Sequence, residues 1–338
     1  MIDFSNILLA HGGGGQLMDQ LLEQIVRPRI SNSILEEGLD SGILDTGAGR
    51  LALTLDSYVV TPWQFPGGDI GRISICGTIN DLAVCGAKPL GIALGLILAE
   101  GLDRAVLEQV MDSIAATARQ AGVPIVTGDT KVVGKGQADG IFISTAGVGL
   151  IPDRPEKLGF AAVRPGDVLL INGTIADHGL AVMLAREMPQ IQSPIRSDVA
   201  ALNGLIAGIL DSGLKVRFMR DPTRAGVSGL CADLATRTGR RVILDEQAIP
   251  VRPETRHAAE MLGLDVLEVA NEGKVVMVVA PDDAPRTLAA MKAHPLGRDA
   301  AIIGRIGEQS DSMCELLTSS GGSRVVQKPY GEQLPRIC

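Results

Sequence analysis

The sequence predicts an α/β protein of two domains. Short apolar runs bounded by Gly, Pro or Asp alternate with runs of helical period. The alternation occurs on both sides of a break at 151–167, "IPDRPEKLGFAAVRPGD", which is rich in Pro, Gly and charge. The length, 338 residues, suits about two domains.

In chain order, "HGGGGQ" (11–16) leads into a helical run, "LMDQLLEQIV". "LALTLD" (51–56), "LGIALGLILA" (90–99), "VPIVTGD" (123–129) and "GIFISTAGVGLI" (140–151) read as strands. Asp103 to Ala121 reads as a helix, with Asp103 as N-cap and Gly122-Val123-Pro124 as the stop. Beyond the break, 168–173, 240–245, 273–280 and 300–307 read as strands. The stretches 179–187, 198–212, 225–237 and 283–293 read as helices. The last ~25 residues show little periodicity and are expected to be mostly irregular. The expected division is 1–155, 156–312 and a tail, 313–338.

Composition narrows the function classes. Hydrophobic residues are 46% and aromatics only 2%, so the core must be aliphatic. A net charge of −8 argues against a nucleic-acid surface, which would need a basic stripe. The first apolar run, "ILLA", is too short for a signal-peptide core, and "LGIALGLILA" is far below the ~20 residues of a membrane span. The five cysteines, Cys76, Cys85, Cys231, Cys314 and Cys338, form no CxxC pair, which suits a reducing cytoplasm. Cys338 is the last residue, and Pro335 holds the place where a prenylation box would need its cysteine.

Several side chains have the chemistry of a site. Asp45, Asp56, Asp81 and Asp129 read as strand-end or loop-entry carboxylates, with Lys131 two residues after Asp129. Such groups can converge on Mg²⁺ and bridge it to phosphates, and they are equally ordinary turn residues. Gly12, Gly13, Gly14 and Gly15 precede a helix start, where free N–H groups can face a phosphate; a flexible connector fits as well. "MRDPTRAGV" (219–227) puts Asp221 in a turn between Arg220 and Arg224, a corner for phosphate or metal, or a capped helix start. Glu272, in "NEGKVV", is a candidate general base or a turn carboxylate. His178, one of four histidines, lies in "IADHG".

Taken in order, "HGGGGQ", "LDTGAG", "TLDSYVVTPWQFPGGDIGR", "CGTINDLAVCGAKP", "TGDTKVV", "GTIADHG", "MRDPTRAGV", "NEGK" and "PRIC" resemble the HypE hydrogenase maturation factors. The resemblance covers essentially the whole chain. HypE is one branch of the ATP-using proteins that include aminoimidazole ribonucleotide synthetase, selenophosphate synthetase and thiamine monophosphate kinase. "HGGGGQ" lacks the catalytic Cys or Sec and the lysine that a selenophosphate synthetase needs there. A thiamine monophosphate kinase would have no use for the cysteine tail. A kinase-like sister enzyme and a non-catalytic ATP-binding scaffold of a maturation complex are the alternative readings.

The resemblance implies an aminoimidazole ribonucleotide synthetase-like fold. Its N-terminal domain would pair sheets across a homodimer into a barrel-like core, with a C-terminal α/β domain behind and ATP between them. It implies that HypF places a carbamoyl group on Cys338, that ATP drives its dehydration to a thiocyanate, and that cyanide passes to iron on HypC–HypD. Asp45, Asp81 and Asp129 would then hold Mg²⁺. Those three, with Asp56, Asp221 and Gly12 to Gly15, would bind the nucleotide. Cys338, Glu272 and Lys131 would act in catalysis, Glu272 as the base at the carbamoyl nitrogen. Pro335, Arg336 and Ile337 match the lead-in to the carrier cysteine, and His178 matches a motif of open role. Residues 327–338 could span at most ~40 Å when extended. The family pattern has Gly-Gly after the arginine of "DPTR". Ala225 stands here instead, which is tolerable unless the backbone needs φ > 0.

Overall fold

The computed structural model describes residues 7–153, 158–331 and 336–338. The expected boundary at 155/156 and Pro335 lie outside the described residues.

The first unit is a five-stranded sheet in the order β1-β2-β7-β5-β6. Its strands are β1 (Gly42–Asp45), β2 (Arg50–Tyr58), β5 (Lys88–Ala99), β6 (Ile125–Val133) and β7 (Ile141–Ile151). A two-residue ladder, β3 (Gln64–Phe65) with β4 (Gly68–Asp69), stands apart. Only β5 and β6 are parallel; the crossover between them is the predicted helix. The helices on this side are α1 (Gln16–Leu21), α2 (Arg27–Ile30), α3 (Ser33–Glu37), α4 (Ile70–Val84) and α5 (Arg104–Ala121). A π-turn, Leu22–Val26, joins α1 and α2. Asp103 caps α5 by accepting from the Ala105 N–H, and left-handed Gly122 ends it, as expected.

The α4 helix was not foreseen. Nearly every residue in it is buried, because α5, the sheet and the second unit pack around it. A helix apolar on all sides carries no polar stripe, so its period cannot be read. Asp81 therefore sits on a buried helix, and the expectation of a strand end or loop entry is corrected.

The second unit is a seven-stranded sheet in the order β14-β13-β10-β12-β8-β11-β9. Its strands are β8 (Val168–Ile171), β9 (Val216–Arg220), β10 (Val242–Asp245), β11 (Val276–Val279), β12 (Ala301–Ile306), β13 (Cys314–Leu317) and β14 (Ser323–Val326). Its helices are α6 (Asp177–Glu187), α7 (Asn203–Asp211), α8 (Gly226–Thr238), α9 (Pro253–Leu262) and α10 (Ala284–Ala293). Two expectations are corrected here. Residues 314–326 are not irregular: β13 pairs in parallel with β10 and antiparallel with β14. The α7 helix begins at Asn203 rather than 198. Upstream of it the Leu202 N–H is taken by Asn80 Oδ1 at 2.8 Å and the Val199 N–H by Ser197 Oγ at 3.1 Å. Side chains that claim backbone groups in this way compete with helix.

One face of the first sheet has no cover among the described residues. Alternation along β2 turns Ala52, Thr54 and Tyr58 inward and leaves Leu53 and Leu55 49% and 69% exposed. Register places Ile97, Phe142 and the pair Asp129 and Lys131 on the same outer face.

Candidate active site

A cleft of about 300 Å³ lies beside the edge of β2. β1 pairs with β2 only through Leu53, so the stretch after it presents a free edge. Its inward residues form one wall. Thr54 Oγ1 donates to Asp81 Oδ2 at 2.7 Å, and Tyr58 Oη donates to Asp56 Oδ2 at 3.1 Å. The α4 helix comes close enough for this because position 77 is glycine: a Cβ there would lie 2.3 Å from Tyr58 Oη.

The second unit supplies the opposite wall. Asp221 and Arg224 come from the turn between β9 and α8, and Glu272 from the turn before β11. Glu272 is 3% exposed; its N–H donates to Asp198 Oδ1 at 3.0 Å, and Asp198 in turn pairs with Lys274 at 2.8 Å. Close contact is again set by glycine, since a Cβ on Gly273 would lie 1.9 Å from the Asp198 carbonyl oxygen.

The electrostatics of the two walls point one way. Burial pushes the Glu272 carboxyl well above its ordinary range, helped by Asp221, Asp198 and Asp56 and opposed by Arg224. Burial raises Asp81 and Asp221 in the same sense, with neighbouring aspartates adding to it. An excess of buried carboxyl groups is a demand for cations. Mg²⁺ fits that demand, because it binds through one or two carboxylates and completes its shell with phosphate oxygens and water. Among the described residues no three acidic, His or Cys side chains converge tightly enough to hold a metal unaided.

Cys338 lies in this cleft, among the residues that line it. The segment reaches it alongside the end of β2. The Val59 N–H donates to the Cys338 carbonyl at 3.0 Å, the Thr61 N–H to the Arg336 carbonyl at 3.3 Å, and Arg336 Nε to the Val59 carbonyl at 2.9 Å. Ile337 between them is 3% exposed and packs in the core. The charge of Cys338 is the main reason that the Arg224 guanidinium titrates above its ordinary value.

The glycine loop is also in contact with the tail. Gly14 lines the cleft, in a left-handed conformation at φ +73°. At the start of α1, the Gln16 and Leu17 N–H groups donate to the carbonyls of Pro329 and Tyr330 at 2.9 and 3.1 Å. A Cβ on Gly15 would lie 2.5 Å from the Pro329 oxygen. Lys328 closes the contact through Asp19 at 2.8 Å and Asp233 at 3.4 Å.

The cleft thus gathers Asp56, Asp81, Asp221, Glu272, Gly14 and Cys338. It does not gather the other predicted residues. Asp45 ends β1, where its carboxylate accepts the Gly47 N–H at 2.8 Å, and it lines a separate cavity of about 1090 Å³. Asp129 and Lys131 pair with each other at 2.6 Å on the exposed face of β6. Sequence reasoning passed over Asp40, Thr54 and Tyr58. Asp40 receives Arg220 Nε at 2.8 Å, so the corner of "MRDPTR" is held in a partly buried ion pair. The period-2 spacing of Thr54, Asp56 and Tyr58 on a strand was the available signal.

Residues 38–151 match the family model of the N-terminal domain of AIR synthase related proteins, and 164–314 match that of the C-terminal domain. The carbamoyl dehydratase HypE of Rhizobium leguminosarum bv. viciae is 48% identical over 100% of this chain and 97% of its own. A chain of a solved HypE–HypF complex superposes with TM-score 0.86 at 42% identity, covering 91% of this chain and 99% of that one. A HypE solved in complex with ATP superposes with TM-score 0.82 at 38% identity, over 98% and 100%.

Proposed function

The chain belongs to the HypE family of AIR synthase related proteins, and from that premise we propose that its cleft dehydrates a carbamoyl group carried on the sulfur of Cys338. It is a carbamoyl dehydratase of hydrogenase maturation, which sets aside the kinase-like and scaffold alternatives. The observation that carries the self-substrate reading is the seating of Arg336–Cys338 along Val59–Thr61, with Cys338 lining an acidic cleft.

An amide oxygen is a poor leaving group. Transfer of the γ-phosphoryl of ATP to the carbamoyl oxygen converts it into a good one. Removal of the nitrogen protons and departure of phosphate leave the nitrile on sulfur. The balance is carbamoyl-Cys338 plus ATP to cyano-Cys338, ADP and phosphate. Glu272 is the base: burial raises its pKa above the ordinary range, which makes its carboxylate a stronger proton acceptor. Mg²⁺, held by Asp81 with Asp56 or Asp221, would offset phosphate charge. Arg224 faces Cys338 and steadies negative charge at the reacting end. Seating the carbamoyl group among buried side chains such as Glu272 would limit its hydrolysis.

The nucleotide would lie against Gly12 to Gly15 and Asp221. Asp45, Asp129 and Lys131 would take part only from outside the cleft of their own chain. We assign Asp129 and Lys131 to a homodimer interface built on the uncovered sheet face, from which they would enter the partner's site. HypF is the loading partner, HypC–HypD the acceptor of cyanide, and the cytoplasm the place of reaction. Among the described residues no helix is long and apolar enough to cross a membrane.

The test is mass spectrometry of the C-terminal peptide. After incubation with HypF and its substrates, wild type should gain one carbamoyl group on Cys338, and with Mg·ATP then lose the mass of one water. Cys338→Ala should do neither. Carbamoyl on Cys76, Cys85, Cys231 or Cys314, or nitrile from the alanine variant, overturns the reading.

A further inference from the structure

The strip that seats the tail has an incomplete code. Backbone hydrogen bonds along an edge repeat every two residues, so the Val59 and Thr61 N–H groups do not by themselves exclude a two-residue slip of the tail. Such a slip would withdraw Cys338 from the cleft. Side chains must fix the register, and Arg336 on the Val59 carbonyl and Asp139, with Ile337 in the core, do part of this.

His178 is placed to do so. It is the second residue of α6 and is fully buried. Its Nε2 lies 3.0 Å from the carbonyl oxygen of Ile337, and its Nδ1 lies 2.8 Å from Ser197 Oγ. A carbonyl oxygen can only accept, so Nε2 carries the proton and Nδ1 is bare. Nδ1 therefore accepts from the Ser197 hydroxyl, whose oxygen is in turn held by the Val199 N–H at 3.1 Å. Phe65 packs edge-on against the ring, with centroids 5.4 Å apart. The start of α6 is pinned as well: Asp177 accepts from Thr255 at 2.6 Å and from Thr174 at 2.7 Å. The ring has one orientation and one tautomer. Burial holds its pKa below the ordinary value, in keeping with the neutral form.

The same segment that locks the ring also positions Glu272. Ser197 holds His178, and the next residue, Asp198, accepts the Glu272 N–H. Three residues thus fix the tail's register and the candidate base relative to each other.

We propose that His178, locked by Ser197, is a positioning residue that fixes the register of the Arg336–Cys338 segment and so sets Cys338 opposite Glu272. This rests on the reading of Cys338 as carrier.

The experiment is native alkylation of the full chain by iodoacetamide, followed by peptide mass spectrometry. Losing one buried hydrogen bond worth about 1–1.5 kcal/mol should raise Cys338 labelling about tenfold in His178→Ala, with Cys76, Cys231 and Cys314 still protected. His178→Gln, which keeps an N–H donor, should stay near wild type. Dehydration of HypF-loaded protein should fall in His178→Ala and return in His178→Gln, while loading itself is unchanged. Unaltered Cys338 labelling in a folded His178→Ala overturns the proposal. If that variant exposes the buried cysteines, Ser197→Ala decides: a rise in Cys338 labelling supports the latch, and no rise overturns it. If labelling behaves as expected but wild type never loses water, the latch stands and the carrier reading fails.

Discussion

Ala225 adopts φ +63° at the turn into α8, the conformation in which an L side chain is penalised. The condition attached to this residue at the sequence level is therefore met: the backbone does need positive φ. Gly226 beside it is also left-handed, at φ +58°, and a Cβ there would lie 2.4 Å from the Leu267 oxygen. The two positions respond in opposite ways. Ala225→Gly relieves a cost of ~1–2 kcal/mol but loosens the unfolded chain by ~0.4–1 kcal/mol. The expected net gain lies between zero and ~1.6 kcal/mol, or at most a few °C in Tm. A calorimetric scan showing Ala225→Gly destabilised by a kilocalorie would mean that packing of the Ala225 methyl outweighs backbone strain.

At the scale of the element, β2 serves two purposes through its two faces. The inward face carries Thr54, Asp56 and Tyr58 into the cleft, and the outward face offers Leu53 and Leu55 to whatever covers the sheet. Exposed leucines at these fractions, with Ile97 beside them in register, make an apolar patch suited to a second copy. Leu55→Arg should convert a wild-type dimer to monomer in light scattering at micromolar concentration. Its far-UV circular dichroism should be unchanged, because the residue is mostly exposed in its own chain. A variant that stays dimeric would place the interface elsewhere. The tail divides in a similar way. With Lys328, Pro329 and Tyr330 held by α1, the eight residues from Gly331 onward could span at most about 29 Å, less than the twelve-residue reach expected from sequence.

At the scale of the whole molecule, the two units press acidic groups together, and this makes stability depend on pH. Asp81, Asp221 and Glu272 all have pKa values raised in the fold, chiefly by burial. The native state then holds more protons than the unfolded chain above pH ~4, so their contribution is complete below that pH and is lost as pH rises through the raised values. Asp40 and Asp167, raised by burial, act in the same sense; His178, lowered by burial, opposes them below its ordinary value, and Asp198, lowered by Lys274 against burial, changes only in more acid solution. The thermal midpoint of the ligand-free protein should fall from pH 5 to pH 8, each raised group adding at most about 1.4 kcal/mol per pH unit. Mg·ATP should offset the loss by neutralising the carboxylates, so its stabilising shift should grow with pH. Asp81→Asn should flatten the ligand-free slope. A midpoint that rises steadily over this range in scanning fluorimetry would contradict the electrostatic picture of the cleft.

The sequence by itself determined the alternation of strands and amphipathic helices, α5 with its caps, and the motifs that led to the family. These are local properties: period, turn chemistry and residue type are written within a few positions of one another. It did not disclose α4, because a helix buried on every side has no polar stripe to mark it. Nor did it disclose β13, which owes its strand form to β10, a partner some 70 residues away, or β14, which pairs with β13 in turn. For the site, the sequence supplied candidates without their distances. Only tertiary structure brought Asp56, Asp81, Asp221, Glu272 and Cys338 to one cleft, left Asp45 and Asp129 outside it, and set His178 against the tail. That sorting depends on contacts such as the 159-residue separation between His178 and Ile337, and no local pattern encodes a distance closed by the packing of two sheets.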